Sequence, residues 1–189
     1  MQKKELRHLY KAKRAAIADS EFAKLTDLLL IQFQSLHLEI PDFIFSYLPF
    51  EKYHEIDLSI IEDYCKWKNP VCTFCYPVVN DISNEMEAVI TTNDQSFTEN
   101  KYGIPEPFGG ETISPKEIEM VFLPLLSFDK LGYRLGYGKG YYDRFLVNCK
   151  QDVLKIGFSF FEALEEPMIS DEFDVPLNIC ITPNLIYHF

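Results

Sequence analysis

Residues 134–143, RLGYGKGYYD, constrain this chain more than any other stretch. Four of its eight glycines, Gly132, Gly136, Gly138 and Gly140, fall within nine residues, two of them flanking Lys139. Glycine adopts positive φ freely and lets backbone N–H groups approach a ligand closely, so this clustering predicts an anion cradle. The preceding run, EMVFLPLLSF (119–128), is apolar and strand-like, and the following run, YYDRFLVNCK (141–150), has helical character. Strand, glycine loop and helix in that order put unpaired N–H groups and the positive end of a helix dipole where phosphate oxygens are favoured. Lys139 adds charge, and Asp143 offers a carboxylate to a metal. A long flexible turn would show the same order, but it has no need of a lysine between glycines.

The loop is not one of the common nucleotide motifs. A Walker motif needs glycine five residues before Gly138 and serine or threonine after Lys139, and this chain has Tyr133 and Gly140 there. The dinucleotide pattern also fails, because Gly136 and Gly138 are followed by Tyr141 at the third glycine position.

Around the loop the chain alternates between helical and strand-like segments. Residues 2–18 and 21–36 read as helices, with Ser20 as the expected N-cap of the second. Strands are expected at 43–48, 71–79, 85–91, 119–126, 153–160 and 177–182, with a helix at 57–67. The pattern predicts an α/β protein with a largely parallel, covered sheet. The polar stretch from Asn93 to Pro115 has three prolines and three glycines and reads as a loop over the site. Internal repeats and low-complexity linkers are absent, so residues 1–189 are expected to form a single domain.

Charge narrows the range of partners. The net charge of −11 argues against general nucleic-acid binding. Residues 1–14 carry six basic side chains against one acidic, a local +5 that leaves −16 on the remainder. A small positive site on an acidic body attracts a nucleotide and repels polynucleotides. On a helical projection Lys3, Arg7 and Arg14 share nearly one face, and Leu6, Tyr10 and Ile17 form an apolar stripe. That edge reads equally as an ordinary solvated helix face.

No apolar run is long enough to span a bilayer, and charged residues interrupt any signal-peptide core at the N-terminus. A cytoplasmic location without membrane association is therefore expected. The five cysteines, an odd number, are expected as free thiols, and the Cys72–Cys75 pair lacks two further zinc ligands.

The segment FLPLLSFDKLGYRLGYGKGYYDRFL resembles the signature of the 5-formyltetrahydrofolate cyclo-ligase family. There a Pro-Gly-Leu-(Gly/Ala)-Phe-Asp run precedes Gly-x-Arg-Leu-Gly-x-Gly-x-Gly-Tyr-Tyr-Asp. The second part is matched here at every fixed position, whereas the first departs at Leu125 and Ser127. KKELR, SYLPFEKYHEID, YGIPEP and FDVPLNICITPN are similar to further family segments in the same order, with Asn178 replacing an aspartate in the last.

The resemblance implies a Rossmann-like fold similar to the NagB/RpiA/CoA-transferase-like one. It also implies an ATP- and Mg²⁺-dependent closure of 5-formyltetrahydrofolate to 5,10-methenyltetrahydrofolate. On this basis ATP meets Lys3, Lys4, Glu5, Leu6 and Arg7, and also Arg134, Leu135, Gly136, Tyr137, Gly138, Lys139, Gly140, Tyr141 and Tyr142. Lys139 and Arg134 would act on the transferring phosphate, Phe50 and Glu55 would contact the folate, and Asp143 and Asp174 would hold Mg²⁺. The expected partners are thus folate and ATP, with no obligate protein partner.

Several residues keep bland alternatives. Glu55 alone is also a surface acid or a helix-start charge, and Tyr141 and Tyr142 can stack on a ligand or anchor a helix. Two other functions share the loop: a small-molecule kinase, which needs no folate, and a non-catalytic ligand sensor, against which the intact lysine, arginine and aspartate speak.

Overall fold

The computed structural model describes residues 2–80, 82–83, 85–92 and 95–189. The helices are α1 (Lys3–Ala15), α2 (Asp19–Ser35), α3 (Ser59–Lys68) and α4 (Tyr141–Leu146). The strands are β1 (Phe43–Phe45), β2 (Thr73–Val79), β3 (Met86–Ile90), β4 (Phe97–Glu99), β5 (Pro105–Pro107) and β6 (Glu111–Ile113). After these come β7 (Met120–Leu123), β8 (Ser127–Phe128), β9 (Arg134–Leu135), β10 (Leu154–Phe158), β11 (Ile179–Ile181) and β12 (Ile186–His188).

Eight strands form one sheet in the order β12-β11-β10-β7-β1-β2-β3-β6. Its centre, from β11 to β2, is parallel. Both edges are antiparallel, through β12 on one side and β3 and β6 on the other. Side chains alternate across the sheet as a strand requires. Ile44, Phe74, Phe122, Ile156 and Ile179 bury against Leu29 and Phe33 of α2 and Ile61 and Cys65 of α3. Their neighbours Phe45, Cys75, Val121, Leu123 and Cys180 bury on the opposite face with Phe145 and Leu146 of α4. With both faces covered, all four residues of β7 are buried, which is why that strand is a continuous apolar run. A third cluster seats Leu6 and Tyr10 of α1 against Leu126, Leu135 and Met168.

Strand order also fixes where a ligand can enter. The chain leaves β1 toward β2 on one side and leaves β7 toward β10 on the other, although β1 and β7 are neighbours. Such a reversal opens a crevice at the carboxyl ends of the two strands.

Several boundaries differ from the sequence reading. Helix α2 is capped by Ala18, whose carbonyl accepts from Glu21 and Phe22, so Ser20 lies inside the first turn rather than at the cap. Helix α4 stops at Leu146, because Asn148 and Cys149 tighten to i−3 hydrogen bonds before β10. The stretch from Asn93 to Pro115 is not structureless. Apart from Asn93 and Asp94, which lie outside the described residues, it supplies β4, β5 and β6. These strands are three residues each and rich in proline and charge, so only their pairing partners make them visible. Arg14 does not join a basic surface edge: it is 3% exposed and lies with Leu6 and Tyr10 on the buried face of α1.

Candidate active site

The crevice between β1 and β7 opens into a cavity of about 520 Å³. One wall is the glycine loop. Gly138 sits at φ +92°, and a Cβ there would come within 3.0 Å of the Arg7 guanidinium. Only glycine meets both demands. Gly140, at φ +68°, turns the chain into α4. The N–H groups of residues 136–140 make no hydrogen bond to any described residue, which leaves a row of backbone donors in the cavity wall. Nζ of Lys139 lies 5.3 Å from the Tyr102 ring centroid, and the Lys139 side chain is exposed. With α4 only six residues long, the loop N–H groups and cations provide the positive potential, more than the helix dipole that the sequence suggested.

Three cations surround the loop. Arg7 donates from Nε to the Gly136 carbonyl at 2.9 Å. Lys3 reaches Asp174 at 2.7 Å and Asp171 at 3.1 Å. Arg134, with its side chain 5% exposed, donates to the Val175 carbonyl at 2.6 Å and to Oδ1 of Asp143 at 2.8 Å. Burial alone would lower the Lys3 ammonium's pKa, but hydrogen bonds to the two aspartates outweigh it and raise it. Burial would raise the Asp174 carboxyl, and Lys3 with the Asp171 N–H outweighs that and lowers it.

The two aspartates singled out from the sequence lie together. Oδ1 of Asp143 also accepts from the N–H of Val175, the residue after Asp174. Oδ2 of Asp143 and Oδ1 of Asp174 accept no hydrogen bond from described residues. Among the described residues no cluster of three or more acidic, histidine or cysteine ligands occurs. Two carboxylates with free oxygens suit Mg²⁺, which takes few protein ligands and completes its shell with water and phosphate oxygens.

The opposite wall carries Glu55. A turn from Phe50 to Glu55 follows β1, closed by the Tyr53 N–H on the Phe50 carbonyl at 2.9 Å and by a left-handed His54 at φ +46°. Glu55 is therefore not a surface acid; it is 7% exposed and lines the cavity together with Phe50. Its Oε2 accepts from the Phe50 N–H at 2.9 Å and its Oε1 from the Tyr137 hydroxyl at 2.8 Å. Burial raises the Glu55 pKa, opposed by those two hydrogen bonds and by the charge of Arg14.

Other expected residues fall outside the cavity. Lys4 and Glu5 are exposed, with Glu5 capping α1 through the Gln2 N–H at 2.9 Å, and Leu6 is in the core. Tyr141 and Tyr142 both line the cavity and pack against the core beside α4. At the family's variant positions, Leu125 packs so closely on Gly157 that a Cβ there would lie 2.6 Å away. The hydroxyl of Ser127 is buried without a partner. All five cysteines are free, and burial pushes Cys72 up to about 11 and Cys75 up to about 12, which makes them unreactive core thiols.

The third wall comes from the stretch expected to lie over the site, and what the sequence did not show is that it pairs as a hairpin. The β4–β5 hairpin contributes Asn100, Tyr102, Ile104 and Glu106, and Tyr102 shares a hydrogen bond with Tyr141. Glu106, 9% exposed, ties this hairpin to β2 by accepting from the Val79 N–H at 3.2 Å and from Asn100 at 2.7 Å. Neither the polar composition of that stretch nor its YGIPEP segment reveals which strand it meets.

A largely parallel sheet covered by helices, with a glycine-rich loop and a cavity at its reversal point, places the protein among the open-sheet α/β proteins. The family model for the 5-formyltetrahydrofolate cyclo-ligase family matches residues 1–183, and the chain belongs to that family. It is 27% identical to the 5-formyltetrahydrofolate cyclo-ligase of Mycoplasma genitalium over 183 residues, 95% of this chain and 96% of that one. A solved 5,10-methenyltetrahydrofolate synthetase from Mycoplasma pneumoniae superposes with a TM-score of 0.76 at 26% identity, covering 97% of this chain and 99% of the other. The Aquifex aeolicus 5,10-methenyltetrahydrofolate synthetase gives 0.77 at 27% identity, covering 100% and 93%. No helix among the described residues is long and apolar enough to cross a membrane.

Proposed function

We propose that the protein is an ATP-dependent ligase that closes 5-formyltetrahydrofolate to 5,10-methenyltetrahydrofolate, releasing ADP and phosphate. One observation supports this above the rest: a single cavity joins a row of unpaired loop N–H groups, ringed by Lys3, Arg7, Arg134 and Lys139, to a buried carboxylate on the opposite wall. The first half suits a triphosphate and the second a heterocycle with paired N–H donors.

In this reading the loop and its cations hold the γ-phosphate in line with the formyl oxygen on N5. The oxygen attacks phosphorus and ADP leaves, giving a phosphorylated imidate. N10 then attacks the formyl carbon and gives up its proton to the phosphate, and the C–O bond breaks to release that phosphate as the ring closes. Such transfer rests on alignment and charge neutralisation more than on a covalent nucleophile. Lys139, exposed in the cavity, is placed to follow charge onto the transferred group. Arg134 is fixed by Asp143 and Val175 and keeps its neighbours aligned. Asp143 and Asp174 would hold Mg²⁺, which neutralises phosphate oxygens when bound. Glu55 accepts the pterin N–H groups, with Phe50 beside it.

The test is the ATP-dependent appearance of the methenyl chromophore from 5-formyltetrahydrofolate. Formation only with both substrates is expected, and 10-formyltetrahydrofolate serves as comparison. ATP hydrolysis that does not depend on the folate, with no chromophore, would instead indicate another phosphoryl acceptor.

A further inference from the structure

Tyr137 lies between Gly136 and Gly138 in the anion loop, yet its side chain crosses to the opposite wall. Its hydroxyl donates to Oε1 of Glu55 at 2.8 Å and accepts from Nη2 of Arg14 at 2.7 Å. Its ring stacks on Tyr53, two residues before Glu55, at 5.6 Å and 20° between planes. Arg14 is a buried cation whose other bond is from Nη1 to the Leu125 carbonyl at 3.3 Å, and its Nε has no partner among the described residues. Among the described residues Arg14 hydrogen-bonds no carboxylate; the Tyr137 hydroxyl bridges it to Glu55, which its charge also reaches through space.

We propose that Tyr137, held by Arg14, is a positioning residue that links the phosphate loop to Glu55, so that nucleotide and folate bind interdependently. The inference rests on the reading of Glu55 as a folate contact. The loop N–H groups have no acceptor among the described residues, so an anion is what settles the loop backbone. Any displacement of that backbone carries the Tyr137 hydroxyl with it, on or off a carboxylate in a low-dielectric wall where a charge-assisted bond is strong. A nucleotide that sets the loop therefore sets the folate carboxylate, and reciprocity requires the converse.

The same arrangement gives a pH signature. Four groups face Glu55 electrostatically: Arg14 from α1, Tyr47 beyond β1, Tyr137 from the loop and Tyr142 from α4. The tyrosines are pushed up by burial, so Arg14 is the charged one among them over the working range. The Tyr137 hydrogen bond favours ionised Glu55. Its loss leaves the carboxyl protonated to a higher pH.

Titration of the full-length protein with 5-formyltetrahydrofolate, alone and with a non-hydrolysable ATP analogue, gives the test. In Tyr137→Phe, folate affinity should fall about tenfold or more and its acid limb should move to higher pH. The factor by which the analogue improves folate binding should collapse toward one. Wild-type folate affinity and pH profile in Tyr137→Phe, with binding lost in Glu55→Gln, would overturn the link and leave the Glu55 reading standing. Unchanged folate affinity in Glu55→Gln would overturn both. Absence of coupling in the unaltered protein, or coupling that Tyr137→Phe leaves intact, would also overturn it.

Discussion

At the residue scale the cavity's charged side chains fall into two groups. Lys3, Arg134, Asp143 and Asp174 are already paired with one another, whereas Lys139 extends into the open cavity with its ammonium over the Tyr102 ring. An exposed side chain whose contact is a partly exposed tyrosine ring can be removed without disturbing the fold. In Lys139→Ala we expect the far- and near-ultraviolet spectra to be unchanged and turnover to fall on the order of 10²–10³, the usual effect of losing one preorganised charge contact. Turnover close to wild type in a well-folded variant would take Lys139 out of the mechanism. Lys139 stood out in the sequence because glycines flank it, and Asp143 because it closely follows the glycine run. Tyr137 was legible only as a loop residue, because nothing in its local sequence says that its hydroxyl meets a glutamate 82 positions away.

At the element scale the glycine loop owes its shape to positive φ and to Arg7. Gly138→Ala asks a Cβ to occupy space 3.0 Å from the guanidinium at φ +92°. The left-handed conformation alone costs an alanine about 1–2 kcal/mol. The loop lies at the rim and not in the core, so the strain should appear mainly as weaker ATP binding, with a modest fall in Tm. Calorimetric titration and a thermal melt on the same variant separate the two; a large Tm drop with unchanged ATP affinity would show the loop to be structural. The order of strand, glycine loop and helix was readable because each is a local pattern. The β4–β5 hairpin was not, since its three-residue strands have no period of their own.

At the scale of the whole molecule, the site joins distant parts of the chain. Lys3 of α1 grips Asp174, Val175 holds Asp143, and Arg134 bridges the Val175 carbonyl to the same carboxylate. The N-terminal helix, the loop and the C-terminal segment thus meet at the proposed metal ligands. Asp143→Asn and Asp174→Asn should each raise the Mg²⁺ concentration for half-maximal activity, since a neutral amide binds this hard ion less well. Unchanged metal dependence in both variants would show that the aspartates serve only to hold the cations in place.

By itself the sequence determined an α/β architecture with a largely parallel sheet, because buried parallel strands require the continuous apolar runs seen at 71–79 and 119–126. It also determined a glycine-framed loop beside a lysine and an aspartate. Tertiary structure decided what these features face. Strand order set the reversal between β1 and β7, and non-local pairing built the hairpin wall. Burial turned Arg14 from an apparent surface charge into a cation held beneath the site, and Glu55 from an apparent surface acid into a buried carboxylate. A side chain's chemistry is written in its residue type, but its exposure and partners depend on segments far away in the chain, which meet only when the core closes.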